Sequence, residues 1–372
     1  MRAGDSSSLP WSHAVELGER SYPVYVGPGL VERVGPLVKE RIPTVDRCVV
    51  VTSEAIRRAH GGTMEESLDE AGISSGMALV PDGEEAKSWS AAEELIGELL
   101  EQGLDRHSVV IAFGGGAVGD LSGFVASIFL RGVSLVQVPT TLLAQVDSSL
   151  GGKTAVNHPK GKNLIGSFHQ PSLVVSDPEV LLTLPKRELL SGLGEVVKHG
   201  VIADRSLFEF VEADGERLVQ ACPDALAHVV RRSVAIKGRL VELDEHDNKG
   251  VRAILNYGHT AGHALEITSN LELRHGEAVA LGMMVAARIS EEVGLMDNLD
   301  VERQRSLLEE LGFELETPPS DPSMIVEAMH RDKKAEAGTI RFVLPTGIGD
   351  PPVLRAVSEH LIIQTLEDEG YG

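Results

Sequence analysis

Three histidines stand within one short stretch, Asn256-Tyr-Gly-His259-Thr-Ala-Gly-His263-Ala-Leu-Glu, followed shortly by Arg274-His275-Gly-Glu. Imidazole nitrogen is a ligand for Zn2+ and similar cations, which need donors converging from different directions. His259 and His263 are four residues apart, so on a helix they share a face, and His275 arrives after a turn. The spacing points to a metal site. The competing reading is a polar helix face whose histidines are solvated or satisfied within the core.

A second pattern lies upstream in Leu193-Gly-Glu195-Val-Val-Lys198-His, with a carboxylate and an ammonium three apart on one helical face. Such pairs are commonly exposed and contribute little. The apolar and small flanking residues instead suggest partial burial. A buried carboxylate requires a cation, and Glu195 is a candidate to complete the coordination begun by His259 and His275. Lys237, Arg252 and Asp332-Lys333-Lys334 add positive charge in the same half, a set suited to a substrate bearing both carboxylate and phosphate.

Two further stretches suit phosphate chemistry. Val109-Val-Ile-Ala-Phe runs into Gly114-Gly-Gly-Ala-Val-Gly-Asp120, matching G-x-G-x-x-G at Gly114, Gly116 and Gly119 between a strand and a helical pattern over Leu121–Leu130. Glycines there let backbone approach a pyrophosphate at a helix N-terminus. The loop follows a third strand, however, and no acidic residue stands about 20 positions on to hold a ribose, so any nucleotide site has non-standard geometry. A tight turn with close helix packing is the alternative. After Pro139-Thr-Thr come Asp147-Ser-Ser-Leu-Gly-Gly-Lys153-Thr and Lys160-Gly-Lys162-Asn163, which place hydroxyls, glycines and lysines where a strand ends. A P-loop is excluded because Asp147 occupies the position its first glycine requires. Lys160 reads better as part of a solvated loop.

The elements that would position these residues fall into two textures. Between about Tyr22 and Asp177, candidate strands Cys48–Thr52, Met77–Val80, Val109–Phe113, Leu135–Val138 and Leu173–Ser176 alternate with amphipathic helices Glu54–Ala71 and Ser90–Gln102. Ser90 and Glu93 form a plausible capping box for the latter. The alternation predicts an α/β Rossmann-like domain with a parallel sheet over residues 1–184. Helical periodicity dominates from Arg187 to about Gly312, with a strand at Ile340–Leu344. It predicts a mainly α-helical domain over residues 185–372, binding metal and substrate.

Composition restricts the partners. The 372 residues carry a formal charge of -22, which argues against nucleic acid, whose binding needs a basic surface. Screening beyond about 8 Å at physiological salt still allows local lysine clusters to hold small anions. No apolar run of about 18 residues argues for a membrane partner, and the N-terminal Met1-Arg-Ala-Gly-Asp-Ser lacks the apolar core of a signal peptide, so a cytoplasmic protein is expected. Cys48 and Cys222 have no metal or redox spacing and read as buried thiols.

Taken in order, these motifs resemble the 3-dehydroquinate synthase family nearly end to end. The resemblance runs from Val15-Glu-Leu-Gly-Glu-Arg-Ser-Tyr-Pro-Val-Tyr-Val-Gly through the glycine loop, Pro-Thr-Thr, Asp-Ser-Ser-Leu-Gly-Gly-Lys-Thr, Gly-Lys-Asn-Leu-Ile-Gly, Gly-Glu-Val-Val-Lys and Asn-Tyr-Gly-His-Thr-x-Gly-His-Ala to Arg-Asp-Lys-Lys. It implies a homodimeric enzyme of the shikimate pathway that uses NAD and Zn2+ or Co2+. The reaction would convert 3-deoxy-D-arabino-heptulosonate 7-phosphate to 3-dehydroquinate and phosphate by transient oxidation at C5, phosphate elimination, re-reduction, ring opening and aldol closure. The substrate's own phosphate would take the C6 proton, in keeping with the lack of an evident general base.

The same resemblance implies residue roles. Glu195, His259 and His275 would hold the metal, while Lys198 and Asp147 reach the substrate hydroxyls. Lys153, Asn163, Asn256, His263 and Lys333 or Lys334 would receive the phosphate, and Lys237 with Arg252 the carboxylate. Arg131 would serve the phosphate of a neighbouring subunit. Glu84, Lys87, Gly115, Gly116, Asp120, Thr140, Thr141, Asp147, Lys153, Lys162, Thr183, Leu184 and Glu188 would surround NAD. The chain departs from the family at Thr52-Ser53-Glu54-Ala55, where an Asp and an Asn are usual: Ser53 is a weaker ribose partner, Ala55 none, and Glu54 the candidate substitute. The stretch Asp244–Gly250 is one residue longer than the usual pattern and predicts a bulged loop. Alternatives are a cyclase acting on sedoheptulose 7-phosphate or glucose 6-phosphate, a metal-dependent polyol dehydrogenase, and a non-catalytic relative. The cyclases' substrates lack the carboxylate that Lys237 and Arg252 suit, and the dehydrogenase would not need so many anion-binding lysines. The non-catalytic relative would have lost a metal ligand or the lysine.

Overall fold

The computed structural model describes residues 10–269, 273–316, 320–332 and 339–372. Strands are β1 Trp11–Val15, β2 Tyr22–Val26, β3 Arg47–Thr52, β4 Ser74–Leu79, β5 Val109–Gly114, β6 Ser134–Pro139, β7 Lys153–His158, β8 Gly161–Phe168, β9 Leu173–Ser176, β10 Thr339–Leu344 and β11 Val353–Ser358. Helices are α1 Val34–Arg41, α2 Glu54–Glu70, α3 Trp89–Glu101, α4 Gly116–Ile128, α5 Lys186–Ala203, α6 Arg205–Val219, α7 Pro223–Leu243, α8 His259–Thr268, α9 His275–Glu292, α10 Asn298–Leu311, α11 Pro322–Asp332 and α12 Glu359–Asp368.

The chain forms two compact units, Met1–Leu184 with Leu226–Glu245, and Pro185–Ala225 with His246–Gly372. Assigning all of 185–372 to the second domain therefore needs correction: most of α7 belongs to the first unit. Helical periodicity identifies α7 as a helix but does not say against what it packs. Its first-unit contacts are concrete. Arg231 donates to the Val26 carbonyl at 3.4 Å, and the Glu16 amide donates to Glu242 at 3.0 Å.

The first unit is built on a seven-stranded sheet in the order β1-β2-β9-β6-β5-β3-β4. The β1–β2 pair is antiparallel and the other pairings are parallel. Val49, Val51, Val110 and Ala112 are buried in one core with Leu95, Leu99, Leu121 and Val125 of α3 and α4. Strands covered in this way read as continuous β-branched runs, which is why they are visible in the sequence. At α3, Ser88 rather than Ser90 caps the helix, its hydroxyl accepting from the Ala91 amide at 3.2 Å. The glycine loop is shorter than expected, because α4 already begins at Gly116. Cys48 is buried but Cys222 is only half-buried, against the expectation for the latter.

The second unit is mainly helical, with the β10–β11 hairpin as its sheet. The stretch Asp244–Gly250 turns through left-handed backbone at Asp247 (φ 50) and Gly250 (φ 78). No helix among the described residues is long and apolar enough to cross a membrane.

Candidate active site

In the second unit, close helix packing brings three separated side chains together. A Cβ on Gly276 would lie 2.0 Å from the Ser191 carbonyl oxygen, so α9 meets α5 at backbone contact. The Gly276 amide donates to Ser191 Oγ at 2.9 Å. This contact sets His275, the first residue of α9, beside Glu195 of α5. Gly258, left-handed at φ 79, turns the chain so that His259 opens α8; a Cβ there would meet the Val279 carbonyl at 2.7 Å.

His259 Nε2 stands 3.7 Å and His275 Nε2 3.5 Å from Glu195 Oε1, and the three ligand atoms lie within 4.8 Å of one another. The far ring nitrogens are engaged as well: His275 Nδ1 is 2.9 Å from Glu266 Oε1, and His259 Nδ1 is 3.1 Å from the Tyr257 carbonyl. The residues fit a divalent cation, since a carboxylate and two oriented imidazoles converge on one point. His263 packs beside this group, its ring 5.3 Å from that of His259 and 6.0 Å from that of His275.

Electrostatics act unevenly on the three side chains. Burial, helped by the Lys198 ammonium, pushes His259 down to about 3 and holds it neutral. Burial also opposes protonation of His275, but bonds to Glu195 and Glu266 outweigh it and raise it to about 9. Glu195 resists the upward effect of its burial, because Lys198 and the two imidazoles hold it well below the usual carboxylate range. Lys198 pairs directly with Glu195, both side chains being almost wholly inaccessible.

The first unit holds the residues implied for NAD other than Glu188. Gly115 and Gly116 form the start of α4, where unpaired amides favour an anion. Lys87 is buried and donates to Asp120 at 2.6 Å and to Asn163 at 2.5 Å. Burial raises the Asp120 carboxyl against the opposing pull of Lys87. Asn157 joins the group: its amide donates to Glu84 at 2.6 Å, and its carbonyl accepts from the Asn163 backbone at 2.8 Å. Asn163, implied for phosphate, is thus bonded to Lys87, implied for NAD. Thr140 is buried, and Thr141 accepts from the Ala144 amide at 3.1 Å at the start of a π-helical turn, Ala144–Ser148, that carries Asp147. Lys237, implied for carboxylate, donates to the Asp147 carbonyl at 2.7 Å and pairs with its side chain.

The remaining positions are more dispersed. Lys153 and Lys162 are exposed on the β7–β8 hairpin, a segment whose polar, glycine-rich sequence reads as loop. Thr183 bonds the Val180 carbonyl and His60 Nε2, each at 2.9 Å, and Leu184 is half-buried. Glu188 pairs with Arg274 at 3.2 Å. Arg252 is buried and Asn256 exposed on one 3-10 turn. Arg131 is exposed and left-handed, at φ 72. Lys333 and Lys334 lie outside the described residues. Ser53 is buried, and Glu54 is taken up by Arg57 and Arg58 at 2.7–2.9 Å. Sequence reasoning missed Asn157 and Glu266; the signal for Glu266 is its place three residues after His263 on the same helix.

Comparison with known proteins gives this geometry its context. Family models for the 3-dehydroquinate synthase N-terminal and C-terminal regions match residues 77–191 and 192–335. A 3-dehydroquinate synthase of Symbiobacterium thermophilum is 46% identical over 355 residues, covering 95% of this chain and 99% of that protein. Two similar solved structures are synthases. A 2-deoxy-scyllo-inosose synthase complexed with carbaglucose-6-phosphate, NAD+ and Co2+ is 28% identical, with a TM-score of 0.88 over 96% of this chain and all of the other. A 2-epi-5-epi-valiolone synthase from Streptomyces hygroscopicus with NAD+ and Zn2+ bound is also 28% identical, with a TM-score of 0.86 over 95% and 98%. With both family models matched in order over 77–335 and near-complete coverage at 46% identity, the chain belongs to the 3-dehydroquinate synthase family.

Proposed function

We propose that the chain is a carbon–oxygen lyase, a 3-dehydroquinate synthase that turns 3-deoxy-D-arabino-heptulosonate 7-phosphate into 3-dehydroquinate and phosphate. The observation that carries this is the convergence of Glu195, His259 and His275 beside the buried Lys198, in a chain of this family. The NAD+ and Co2+ or Zn2+ bound by the two similar synthases support the same cofactors here. When bound, NAD+ supplies a reversible hydride acceptor and the metal ion a Lewis acid for hydroxyl and ketone oxygens.

The chain's own residues bind and orient. Glu195, His259 and His275 would hold the metal, and Lys198 and Asp147 would hydrogen-bond the substrate hydroxyls. His263, Asn256, Lys153, Asn163 and Lys333 or Lys334 would grip the phosphate, leaving its oxygens to take the C6 proton. Arg252 and Lys237 would receive the carboxylate. Gly115, Gly116, Asp120, Lys87, Glu84, Thr140, Thr141, Lys162, Thr183, Leu184 and Glu188 would cradle NAD. Arg131, presented outward on left-handed backbone near exposed Ile128 and Leu130, would serve a second copy in a homodimer.

The test is incubation with NAD+, Zn2+ or Co2+ and each candidate sugar phosphate. Phosphate release from 3-deoxy-D-arabino-heptulosonate 7-phosphate without accumulating NADH is expected. Accumulating NADH would identify a dehydrogenase, and activity confined to sedoheptulose 7-phosphate or glucose 6-phosphate a related cyclase.

A further inference from the structure

We propose that Glu266 is a positioning residue for the metal centre, accepting a hydrogen bond from His275 Nδ1–H so that Nε2 is presented, beside Glu195, as the nitrogen that would bind the cation. The proposal rests on the metal-holding role given above to Glu195, His259 and His275.

The two imidazoles have unlike supports. His259 Nδ1 faces a neutral backbone carbonyl, that of Tyr257, at 3.1 Å, whereas His275 Nδ1 faces the Glu266 carboxylate at 2.9 Å. Glu266 is only 7% exposed. A carboxylate taken out of water at that depth needs a partner, and His275 supplies one at hydrogen-bond distance. The bond distinguishes the two ring nitrogens: Nδ1–H is committed to Glu266, which leaves Nε2, 3.5 Å from Glu195 Oε1, as the nitrogen that would bind a cation. The carboxylate also makes the imidazole more electron-rich than a carbonyl partner does.

Local structure favours the same role. His275 opens α9, and its side chain is about a third exposed. His259, by comparison, is 12% exposed. Of the two histidines, His275 is therefore the more exposed and the one whose Nδ1 is held by a side chain. Glu266 lies on α8, one turn beyond His263, so α8 both carries His259 and orients His275. This links both imidazoles to one helix.

Co2+ binding to the full chain tests the proposal, by competition against a chromophoric chelator and by the visible absorption of the bound ion. Glu266→Ala is expected to weaken Co2+ affinity by about 10–100-fold and to shift the band. Glu266→Gln keeps an acceptor but removes the charge, and is expected to fall between wild type and Glu266→Ala. Far-ultraviolet dichroism and urea unfolding without metal show whether each variant folds. If Glu266→Ala does not fold, Glu266→Gln decides alone. A folded Glu266→Gln with wild-type affinity and band, or a folded Glu266→Ala no weaker than Glu266→Gln, overturns the role of Glu266. Failure of the wild type itself to bind one Co2+ overturns the underlying metal reading instead.

Discussion

Lys198 and Glu195, one turn apart on α5, form an ion pair in which the side chains are 1% and 0% exposed. Removing one partner leaves the other charge buried, a change that costs about 3–5 kcal/mol in comparable sites. Lys198→Met is expected to lower the unfolding free energy of the metal-free protein by an amount in that range, read from urea denaturation, and to abolish phosphate release. A folded Lys198→Met with full activity would remove Lys198 from the site.

Gly276 offers a test of how the cluster is assembled. The Ser191 carbonyl leaves no room for a methyl group, so Gly276→Ala must push α9 from α5. Overpacking of this kind costs roughly 1–3 kcal/mol or more. Thermal unfolding should fall accordingly, and Co2+ affinity should fall with it, because the same displacement separates His275 from Glu195. Loss of stability with unchanged metal affinity would show that the cluster does not depend on this contact.

Lys87 links Asp120 to Asn163, and so ties the start of α4 to the β7–β8 hairpin. Losing a charge-assisted hydrogen bond costs about 1.5–3 kcal/mol, or roughly tenfold or more in affinity. Calorimetry of Lys87→Met should therefore show NAD+ binding weakened by at least that factor, with Co2+ binding unchanged.

Cys48 supplies a pH dependence with a defined sign. Burial raises its thiol from 9.0 to about 12, so the folded state disfavours the thiolate. The stability this group contributes is complete below about pH 9, where the thiol of the unfolded chain is also protonated. It is lost as pH rises toward 12. Urea denaturation between pH 8 and 11, compared with Cys48→Ala, should show a shallower alkaline decline for the variant. Alkylation at neutral pH should modify half-buried Cys222 and spare Cys48 until the chain unfolds.

What was legible in the sequence depended on the kind of signal. Strands such as Val109–Gly114 announce themselves because a sheet covered on both faces demands an apolar run, and the glycine loop shows its place at a strand end. The histidine cluster was visible because three uncommon side chains fell close together. Glu266 was not, since a carboxylate on a helix usually means solvent, and only the tertiary approach of His275 gives it another meaning. The β7–β8 hairpin was hidden by its polar, glycine-containing composition, and Ser88 by a second serine two residues later. The partnership of Lys237 with Asp147 spans 90 residues, and no local pattern encodes it.

The path of the chain through α7 has a consequence for how the protein is made. Because Leu226–Glu245 completes the first unit, a nascent chain that has emerged only as far as Leu184 still lacks Lys237 for Asp147, Glu242 for the Glu16 amide and Arg231 for Val26. The nucleotide half cannot finish folding on the ribosome before part of the helical half has been synthesised, and a gene fragment cut at the apparent boundary would encode an incomplete core.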